Sequence, residues 1–521
     1  MRIVVLVCLQ TALLGVVLGA LPSSAAVTVG NWSPIYVNNQ TGSDDFDGRA
    51  AESAGDGKSG PLKTIMQAVR KCAVGARIEI ANTGVDYRES VSIGGFKKGR
   101  ADSPLIIDGH GAYVSGLVAL AADQWISHKD DIYYFPNKVG DADFKPRAWY
   151  ERKIGNAVYG IMPNSNWLGF LKHHGWFIEK EAPEIFFLNG KPGPNALKLE
   201  DIQPGGFFYD AQASVLKEPA GQRCLFFRLP ADKTLKECVV ELPLNTGIYV
   251  SDDYVTLCNI GSRYSQDDGF AGFWGQGVIL RNIHACFNCD QGVSFHGNST
   301  TLIDGAMIER NAGCGIVDVM SCTTVYRNTT VRENYPGGVL FSGFAHAMYN
   351  CRIEDNCGSQ IQIDKGASGS LVNCLIVGRG EKGGGPAVAM EHGRIESCTI
   401  VNSPVGVDVA VGASIRNSII ANCPTTLRIG KNAVDAVAVD KTILGLGEVA
   451  VDGQKINQAG WPEFITTHKR LAGAVIDSPA LEGPLFTLPA DSPLLKAGEN
   501  GKAPGASLPP VKTADNSKGW K

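Results

Sequence analysis

The second half of the chain repeats short apolar strands at a nearly constant spacing. From residue 254 onward, an apolar residue or Thr closes a strand about every 23 residues. No amphipathic stretch of helical spacing fits between the glycines, and the signature of a leucine-rich repeat, the main competitor at this period, is absent. The pattern predicts one coil of a parallel β-helix per repeat. The closing residues are Ile260, Ile283, Met307, Thr330, Ile353, Ile376, Ile400 and Ile419.

A second element of each repeat alternates apolar, variable and apolar residues, as in Val293-Ser294-Phe295 and Val339-Leu340-Phe341. In a strand, this alternation points the outer two side chains inward and the middle one outward. Coils stack roughly 4.8 Å apart, so equivalent residues form columns along the axis. One column is predicted to contain a ladder of buried cysteines that pack as small apolar side chains. Its members are Cys258, Arg281, Gly305, Asn328, Cys351, Cys374 and Cys398.

Asparagines recur in the turns between these strands. Their side-chain amides are expected to hydrogen-bond neighbouring backbone groups, as asparagines in turns commonly do. Cys286 and Cys289 have the spacing of half a zinc site, but no second pair completes a tetrahedral set, so the pattern does not favour a metal there. The turn asparagines are Asn288, Asn311, Asn334, Asn356 and Asn422.

Composition indicates the class of protein and its compartment. The 521 residues include 62 Gly and only 19% charged residues, as expected where tight turns join short buried strands. A formal net charge of -4 provides no basic field for nucleic acid. Residues 1–26 resemble a secretory signal, with Arg2, an apolar run and small residues up to Ala26. We therefore expect a protein secreted to the periplasm or the exterior, with no membrane segment after cleavage.

Residues 140–250 interrupt the repeat and are rich in aromatic side chains. Their alternating apolar and polar runs predict a small antiparallel β insertion. Most of the aromatics are expected to form its core, whereas Trp176 beside His174 is the cluster expected to be exposed as a sugar-binding surface. Cys224 and Cys238 are candidates for a disulfide across the insertion.

Acidic residues recur on three successive coils, near the turn that leads into the same strand. Asp267 and Asp268 come first, Asp290 follows one coil later, and Asp318 lies on the next coil. One coil of separation brings such carboxylates within about 5 Å, so they share a cation or push their pKa values apart. A single Asp in a turn is often merely solvated, but the cluster favours function. We predict a catalytic site here, with His296 as a candidate base and Asp268 and Asp290 as candidate metal ligands.

The pattern leaves open the direction in which Asp318 points. Alignment with Phe295 and Phe341 would direct it into the core, where a carboxylate without partners is costly. A slip of one residue would place the flanking valines inside and Asp318 outside, and we favour this slip because the valines suit the inner face. Asp268 and Asp318, two coils apart, would then match the roughly 6.5–9.5 Å separation of an inverting glycosidase. Asp268→Ala and Asp318→Ala are both expected to keep the fold and abolish product formation.

A second acidic pair, Asp364 and Glu391, occupies matching outward positions on a later strand of the repeat. Lys365 lies beside Asp364, and the three residues are candidates for a substrate-binding subsite. A solvated surface explains the same pattern, since charged residues usually face water.

Segments near both ends of the chain resemble those of a known superfamily. Ile35-Tyr36-Val37 is followed by Gly60-Pro61-Leu62-Lys63-Thr64-Ile65 and by an amphipathic segment around Ala68. Near the end, Asp491-Ser492-Pro493-Leu494-Leu495 precedes Pro504-Gly505-Ala506. Together with the repeat, these segments resemble the right-handed parallel β-helix proteins of the pectin-lyase-like superfamily, which are secreted and act on carbohydrates. The resemblance implies an all-β solenoid with an N-terminal helix capping its open end.

The acidic turns also resemble parts of two enzyme families. Gln266-Asp267-Asp268-Gly269-Phe270 with Asn288-Cys289-Asp290 is similar to the calcium-binding coils of family nine pectate lyases, which implies Asp268 and Asp290 as ligands. The lysine base of that family falls at Val317 here. Gln266-Asp267-Asp268 and His296-Gly297 are similar to the paired Asp and the His-Gly element of polygalacturonases, whose Arg-x-Lys signature is not visible.

The predicted organisation has five parts. They are a signal peptide at 1–26, a cap with the first coils at 27–139, an inserted β subdomain at 140–250, the parallel β-helix at 251–506 and a disordered tail at 507–521.

The predicted function is that of a polysaccharide-processing enzyme. A glycoside hydrolase is favoured over a polysaccharide lyase because acids outnumber plausible bases in the cluster. A non-catalytic carbohydrate-binding or surface module is the alternative from another class. The hydrolase needs no cofactor, while calcium is a candidate ligand. The expected partner is a polysaccharide, with acidic ones among the candidates, and the protein is expected to be a monomer.

Overall fold

The chain winds into a stack of parallel coils, in which each strand pairs in parallel with the equivalent strand of the next coil. Pairs of this kind leave no strand of the stack's interior without a neighbour, so the backbone hydrogen bonds run along its whole length. The computed structural model describes residues 34–136, 152–154, 157–159, 186–196, 198–210, 214–217, 224–380 and 384–509.

The described residues form strands β1 to β41, helices α1 and α2, and several short 3-10 helices. The first coils contain β1 (Ile35–Val37), α1 (Ile65–Lys71), β2 (Arg77–Ile80), β3 (Val91–Ile93) and β4 (Leu105–Ser115). The next strands are β5 (Leu117–Ala119), β6 (Ile126–Lys129), β7 (Ile132–Pro136), β8 (Arg152–Ile154), β9 (Ala157–Tyr159), β10 (Phe187–Leu188), β11 (Lys191–Pro192), β12 (Asn195–Ala196), β13 (Phe207–Asp210), β14 (Cys224–Arg228) and β15 (Val240–Pro243). The 3-10 helices are Ala122–Gln124, Leu199–Asp201, Leu235–Glu237, Val434–Ala436, Lys469–Leu471, Pro493–Lys496 and Glu499–Gly501.

The remaining strands belong to the solenoid and its C-terminal end. They begin with β16 (Ile248–Val250), β17 (Val255–Arg263), β18 (Phe270–Phe273), β19 (Val278–Arg281), β20 (His284–Cys286), β21 (Val293–His296), β22 (Thr300–Asp304), β23 (Met307–Glu309), β24 (Ile316–Val319), β25 (Thr323–Arg327), β26 (Thr330–Arg332), β27 (Val339–Ser342) and β28 (Ala345–Tyr349). They continue with β29 (Arg352–Glu354), β30 (Ile361–Ile363), β31 (Ser368–Val372), β32 (Leu375–Val377), β33 (Val388–Glu396), β34 (Thr399–Val401), β35 (Val405–Arg416), β36 (Ile419–Ala421), β37 (Thr425–Ile429), β38 (Val437–Leu444), β39 (Glu448–Val451), β40 (Gln454–Ile456), α2 (Trp461–Thr467) and β41 (Gly473–Ile476).

Each central coil supplies one strand to each of three sheets. Sheet one contains β18, β21, β24, β27 and β30; sheet two contains β19, β22, β25, β28 and β31; sheet three contains β20, β23, β26, β29 and β32. This arrangement is the predicted parallel β-helix, and the all-β fold class is confirmed.

The alternation of the strands determines which side chains form the core. In β27, Val339 and Phe341 are buried and Leu340 between them is half-buried, while Gln362 is the exposed residue of β30. The inward columns merge into one apolar cluster that extends from Val37 to Ala474. The predicted inward and outward positions are therefore confirmed for these strands.

Turn asparagines form a buried ladder along the solenoid, next to the start of sheet one. The backbone N–H of Asn288 and its side-chain amide both donate to Oδ1 of Asn311, at 3.2 and 2.9 Å. Asn311 bonds Asn334 in the same way, and Asn334 bonds Asn356. These bonds satisfy backbone groups that a buried turn would otherwise leave unpaired, as predicted. Asn422, by contrast, is exposed.

The predicted cysteine column combines residues from three different columns. Cys258 pairs with Arg281, but Arg281 then pairs with Asp304 rather than aligning with Gly305. The predicted column shifts twice. Gly305 follows Arg281 by 24 residues in a coil of 23, and Cys351 follows Asn328 by 23 residues in a coil of 22. The ladder itself exists further along, where the Cys374 N–H donates to Cys398 Sγ at 3.4 Å. Its thiols, all buried and free, are Cys351, Cys374 and Cys398.

Helix α1 packs against the first strands of the solenoid. The Thr64 hydroxyl accepts a hydrogen bond from the Gln67 N–H at its start, and Ile65, Ala68 and Val69 are its buried residues. These three belong to the main core cluster, so the predicted helix covers part of the apolar interior of the first coils.

The strands between β5 and β15 pair mostly antiparallel and lie outside the parallel stack. Their aromatics form a core, in which Phe207 stacks on Phe186 and Phe227. This cluster also contains Cys289 from a turn of the solenoid, so the insertion packs beside the start of sheet one. The proposed disulfide is wrong, because Cys224 and Cys238 lie in different apolar clusters and are not joined to each other.

None of the helices in the described part of the chain is long and apolar enough to cross a membrane. The predicted signal peptide and most of the predicted tail lie outside the described residues. Ser507, where that tail was expected to begin, donates its N–H to Asn373 Oδ1 at 2.6 Å.

Candidate functional site

Asp267, Asp268 and Asp290 come together in the turns that lead into sheet one. We call these three residues the acidic trio. Asp267 and Asp268 precede β18, and Asp290 precedes β21 one coil later. The turns are hydrogen-bonded to each other, because the Asp290 N–H donates to the Asp267 carbonyl at 3.3 Å. One carboxylate oxygen of each residue lies within 4.8 Å of the others, so the site can hold a shared proton or a cation.

The three carboxylates differ in exposure and therefore in chemistry. Asp267 is exposed, Asp268 half-buried and Asp290 buried. Burial raises the pKa of Asp268 well above its usual value, and the nearby carboxylates of Asp290 and Asp267 raise it further. A hydrogen bond from the Gln291 N–H, 3.1 Å from Asp268 Oδ1, opposes this shift. The raised pKa makes Asp268 a candidate for the carboxyl group that holds a proton.

The next coil contributes no acid to the trio, and a glycine occupies the equivalent turn position. A Cβ on Gly313 would lie 2.5 Å from Asp290 Oδ1. Any residue other than glycine would therefore clash with the Asp290 carboxylate in its present position. Gln291 donates its side-chain amide to the same oxygen of Asp290. Burial and the Asp290 carboxylate raise the pKa of the Cys314 thiol to about 12, so it stays protonated beside the trio.

His296 closes β21 on the outer surface of sheet one and does not join the trio. It lies at the far end of β21, three strand steps or roughly 10 Å from Val293, where the strand begins after the turn of Asp290. Its ring stacks on Phe273 with centroids 4.3 Å apart, and burial lowers the pKa of His296. The Ser294 hydroxyl donates to the Val317 carbonyl at 3.0 Å, so Ser294 Oγ accepts from His296 Nε2 at 2.8 Å. This tautomer leaves the Nδ1 lone pair as the basic atom of a neutral imidazole.

Asp318 lies inside the solenoid, and the favoured slip of its strand is wrong. Asp318 pairs in register with Phe295 on one side and Phe341 on the other, and it is 0% exposed. The flanking Val317 and Val319 are the half-buried, outward residues of β24. A substrate on the outer surface cannot reach Asp318, so the predicted pair with Asp268 does not form.

Polar partners inside the core compensate the buried carboxyl of Asp318. Its Oδ2 accepts from the Thr324 hydroxyl at 2.7 Å and from the Tyr326 hydroxyl at 2.8 Å, and its Oδ1 accepts from the Phe295 N–H at 3.1 Å. Burial raises the pKa of Asp318 to about 7 although these three donors lower it. The alternative to the slip, a buried Asp with partners, is therefore correct.

His346 completes this internal network, which the sequence pattern gave no reason to expect. It is buried, its ring stacks on Phe341 at 4.4 Å, and its Nδ1 lies 2.7 Å from the Thr324 hydroxyl oxygen. Because that hydroxyl donates to Asp318, Nδ1 must donate to it. Burial lowers the pKa of His346 to about 3, so the imidazole is neutral.

Asp364 and Glu391 follow strand residues that pair in register, Ile363 with Met390, so they lie one coil apart as predicted. Both are half-buried, and the exposed Lys365 lies beside Asp364. Gln362 donates its amide to Asp364 Oδ1 at 2.7 Å. These residues lie on sheet one several coils from the trio. Trp176 and His174, the other predicted substrate contacts, lie outside the described residues.

Exposed apolar residues at the far ends of the strands of sheet one were missed by the sequence analysis. Trp274 and Met320 are each 61% exposed, directly after β18 and β24. The available signal was Trp274, which directly follows Phe273, the last outward residue of β18, and has Gly297 at the equivalent place one coil later. The alternation rule identifies core residues and says nothing of turns, so these residues escaped it.

A second group of possible metal ligands lies in the first coils, formed by Glu79, Asp108 and His110. Arg77 already neutralises it, with Nη2 2.7 Å from Asp108 Oδ2 and an ion pair to Glu79. A guanidinium in this place occupies the position that a cation would take. We therefore regard this cluster as structural.

Comparison with known proteins supports the same fold. A family model described as the right handed beta helix region matches residues 230–376. The structure of XylC in complex with xylose is similar over 86% of this chain and 87% of that chain, with 11% identity and a TM-score of 0.51. A structure described as a glycoside hydrolase is similar over 88% of this chain and 99% of that one, with 10% identity and a TM-score of 0.50.

At this level of identity the similarity establishes the fold. The chain folds as a right-handed parallel β-helix, and that predicted fold is confirmed. A search of curated protein sequences gave no match.

Proposed function

We propose that this chain is a secreted polysaccharide-processing enzyme and that it hydrolyses glycosidic bonds at the acidic trio. The observation that carries the proposal is the close approach of the three carboxylates, within 4.8 Å, together with the raised pKa of Asp268. Glycosidases require one carboxyl group that holds a proton and a second one that is ionised.

Asp268 is the proposed general acid, which protonates the oxygen of the leaving sugar. Asp267, the exposed member of the trio, is the proposed second carboxylate, which acts on the anomeric carbon. Carboxyl groups about 5–5.5 Å apart belong to retaining glycosidases, whereas inverting enzymes need a wider separation. The short spacing of the trio therefore favours retention, in place of the inverting pair that the sequence analysis expected.

A calcium-assisted lyase is the second candidate, because the same three carboxylate oxygens are suitable ligands for calcium. Calcium in such a site would neutralise the carboxylate of a uronate sugar. The lyase also needs a base beside that sugar, whereas His296 lies at the end of β21 that is remote from the trio. The separation of the base from the acids favours the hydrolase.

The decisive experiment incubates the mature protein with a panel of polysaccharides. We expect new reducing ends without near-ultraviolet absorbance, which is the outcome of hydrolysis. Unsaturated, absorbing ends would replace the hydrolase by the lyase, and binding without products would favour a non-catalytic carbohydrate-binding module.

Two variants connect the products to the trio. Asp268→Asn should abolish product formation, whereas Asp435→Asn, which alters an exposed Asp far along the solenoid, should leave it unchanged. Wild-type turnover by Asp268→Asn would contradict the assignment of the site. Secretion is tested separately, by comparing export of the full chain with that of a chain lacking residues 1–26.

A further inference from the structure

The outer surface of sheet one ends in a strip of apolar side chains. It consists of Phe273, Trp274, Met320 and Phe344. Trp274 and Met320 are 61% exposed and Phe344 is 38% exposed. The three follow β18, β24 and β27, so the strip extends over three coil steps, roughly 14 Å along the axis.

The backbone at the strip adopts a conformation that is unfavourable for these residues. Trp274 has a φ of 61° and Met320 a φ of 67°, in the left-handed region that bulky side chains rarely adopt. Gly297 lies between them in the equivalent turn, and a Cβ there would come within 2.6 Å of the Trp274 indole. Glycine thus leaves space for the indole over the neighbouring coil. Strain that holds large apolar side chains in water is more typical of binding sites than of packing.

Neighbouring rings support the indole from one side. Phe273 lies 5.4 Å from Trp274 between centroids, and it stacks in turn on His296 with an angle of 6° between the rings. A supported ring loses little freedom when a ligand stacks on it, so it offers binding energy at a small entropic cost.

Between the trio and the strip, the outward side chains of β18, β21, β24 and β27 are all uncharged. Its side chains are Ala271, Ser294, Val317 and Leu340 in one column. In the other column, His296 is a neutral imidazole held by Ser294. Lys365 lies one coil beyond the strip and beside Asp364. At the other end of β18 and β21, the acidic trio lies in the turns that lead into these strands.

We propose that this strip binds a neutral polysaccharide by stacking its sugar rings on Trp274, Met320 and Phe344, and that it disfavours polymers of uronic acids. The coil spacing of roughly 4.8 Å is comparable to the length of one sugar unit, so successive sugars meet successive coils. A polyanion would approach the acidic trio with no basic residue on the intervening strands to attract it. The proposal rests on the proposed function, since it names the substrate class of the same surface.

The test measures binding apart from turnover, in the full chain carrying Asp268→Asn. Affinity gel electrophoresis compares three neutral polymers, xylan, mixed-linkage glucan and galactomannan, with polygalacturonate and alginate. We expect retardation by at least one neutral polymer, and a loss of affinity on the order of tenfold when Trp274→Ala is added. Alanine keeps the Cβ, so the backbone strain stays the same. Leu446→Ala, at a residue 58% exposed outside the strip, is the matched control.

Several results would overturn the proposal. Tighter binding of a uronate polymer than of every neutral one, unchanged binding by the Trp274→Ala variant, or binding to none of the five polymers would each do so. A concentration-dependent dimer that Trp274→Ala abolishes would assign the strip to a second copy of the chain instead.

Product formation by the chain with an intact trio separates this proposal from the proposed function. If a neutral polymer binds through Trp274 but is not cut, the proposed hydrolase is wrong and the proposed binding strip is supported. If the polymer is cut equally well with and without Trp274, the proposed hydrolase is supported and the proposed binding strip is wrong.

Discussion

Two acidic groups on neighbouring coils of the solenoid lie in opposite environments. Asp290 and its partner Asp268 lie in turns, where carboxylates of successive coils crowd together, whereas Asp318 points inward from the middle of a strand. Burial raises the pKa of both Asp268 and Asp318. Like charges raise the first further, while hydrogen-bond donors oppose the shift of the second. Whether an acidic residue joins a surface site therefore depends on its position within its own coil, in a turn or inside a strand. The number of coils that separate it from the other acids does not decide this.

The largest expected effect separates these two positions by activity. Asp268→Asn should lower product formation by about a hundredfold or more, because it removes the proposed general acid. Asp318→Asn should stay within a few-fold of the wild type, assayed at a temperature at which circular dichroism shows both variants folded. The sequence analysis predicts a catalytic role for both positions, and the burial of Asp318 argues against that role for Asp318. An equal loss in folded Asp318→Asn would restore it.

Stability should show the reverse order. Asp318→Ala leaves the donors Thr324, Tyr326 and the Phe295 N–H without their acceptor and opens a cavity, at a cost of about 3–5 kcal/mol. Asp318→Asn keeps one acceptor oxygen and should cost less. Asp268→Ala should change stability little, because it removes like-charge repulsion at a half-buried position. Urea denaturation followed by circular dichroism measures all three, and a larger loss in Asp268→Ala would reverse the comparison.

The fold could be predicted from the sequence because the repeat averages over many coils. Small errors in coil length shift a column without disturbing the period. Gly305 was misaligned because the predicted column counts 24 residues in a coil of 23, and Asn328 was misaligned with Cys351 because the next coil has 22. The cysteine ladder further along was correctly identified. The Asn ladder was predictable for the same reason, since one turn recurs in several coils.

The candidate site could be predicted from the sequence only for those of its residues that lie in turns. The trio follows from the coil spacing alone, so Asp268 and Asp290 were placed together correctly. Asp318 was not, because hydropathy penalises a buried carboxylate and cannot anticipate partners such as Thr324 and Tyr326 from other strands. Trp274 escaped because its exposure depends on a glycine one coil away.

The pH dependence of stability should separate Asp318 from His346. Asp318 titrates near 3.8 when unfolded and near 7 when folded, so its contribution falls as the pH rises between these values. His346 titrates near 6.5 when unfolded and near 3 when folded, so its contribution rises with pH over a similar window. Tyr326 and Cys322 stay protonated throughout, because burial raises the pKa of each.

The two contributions should nearly cancel between about pH 4 and 6.5, because folding moves one proton from the imidazole to the carboxyl group. Asp318→Asn should therefore unmask stability that rises with pH, and His346→Gln stability that falls with pH. Each is measured as the difference from wild type in urea denaturation across this range. Parallel curves for the wild type and both variants would show that neither group titrates on unfolding.

The smallest expected effect concerns calcium, which can reach the acidic trio but not the buried carboxyl group of Asp318. Binding must displace the proton that Asp268 favours, so affinity should increase with pH. We expect millimolar calcium to raise the melting temperature slightly at pH 8 and not at pH 5, and to inhibit hydrolysis where it binds. The shift should vanish in Asp268→Asn and persist in Asp318→Asn, because the core carboxyl is inaccessible to the ion. A shift of equal size in Asp268→Asn would place the calcium elsewhere, and activity that requires calcium would favour the lyase.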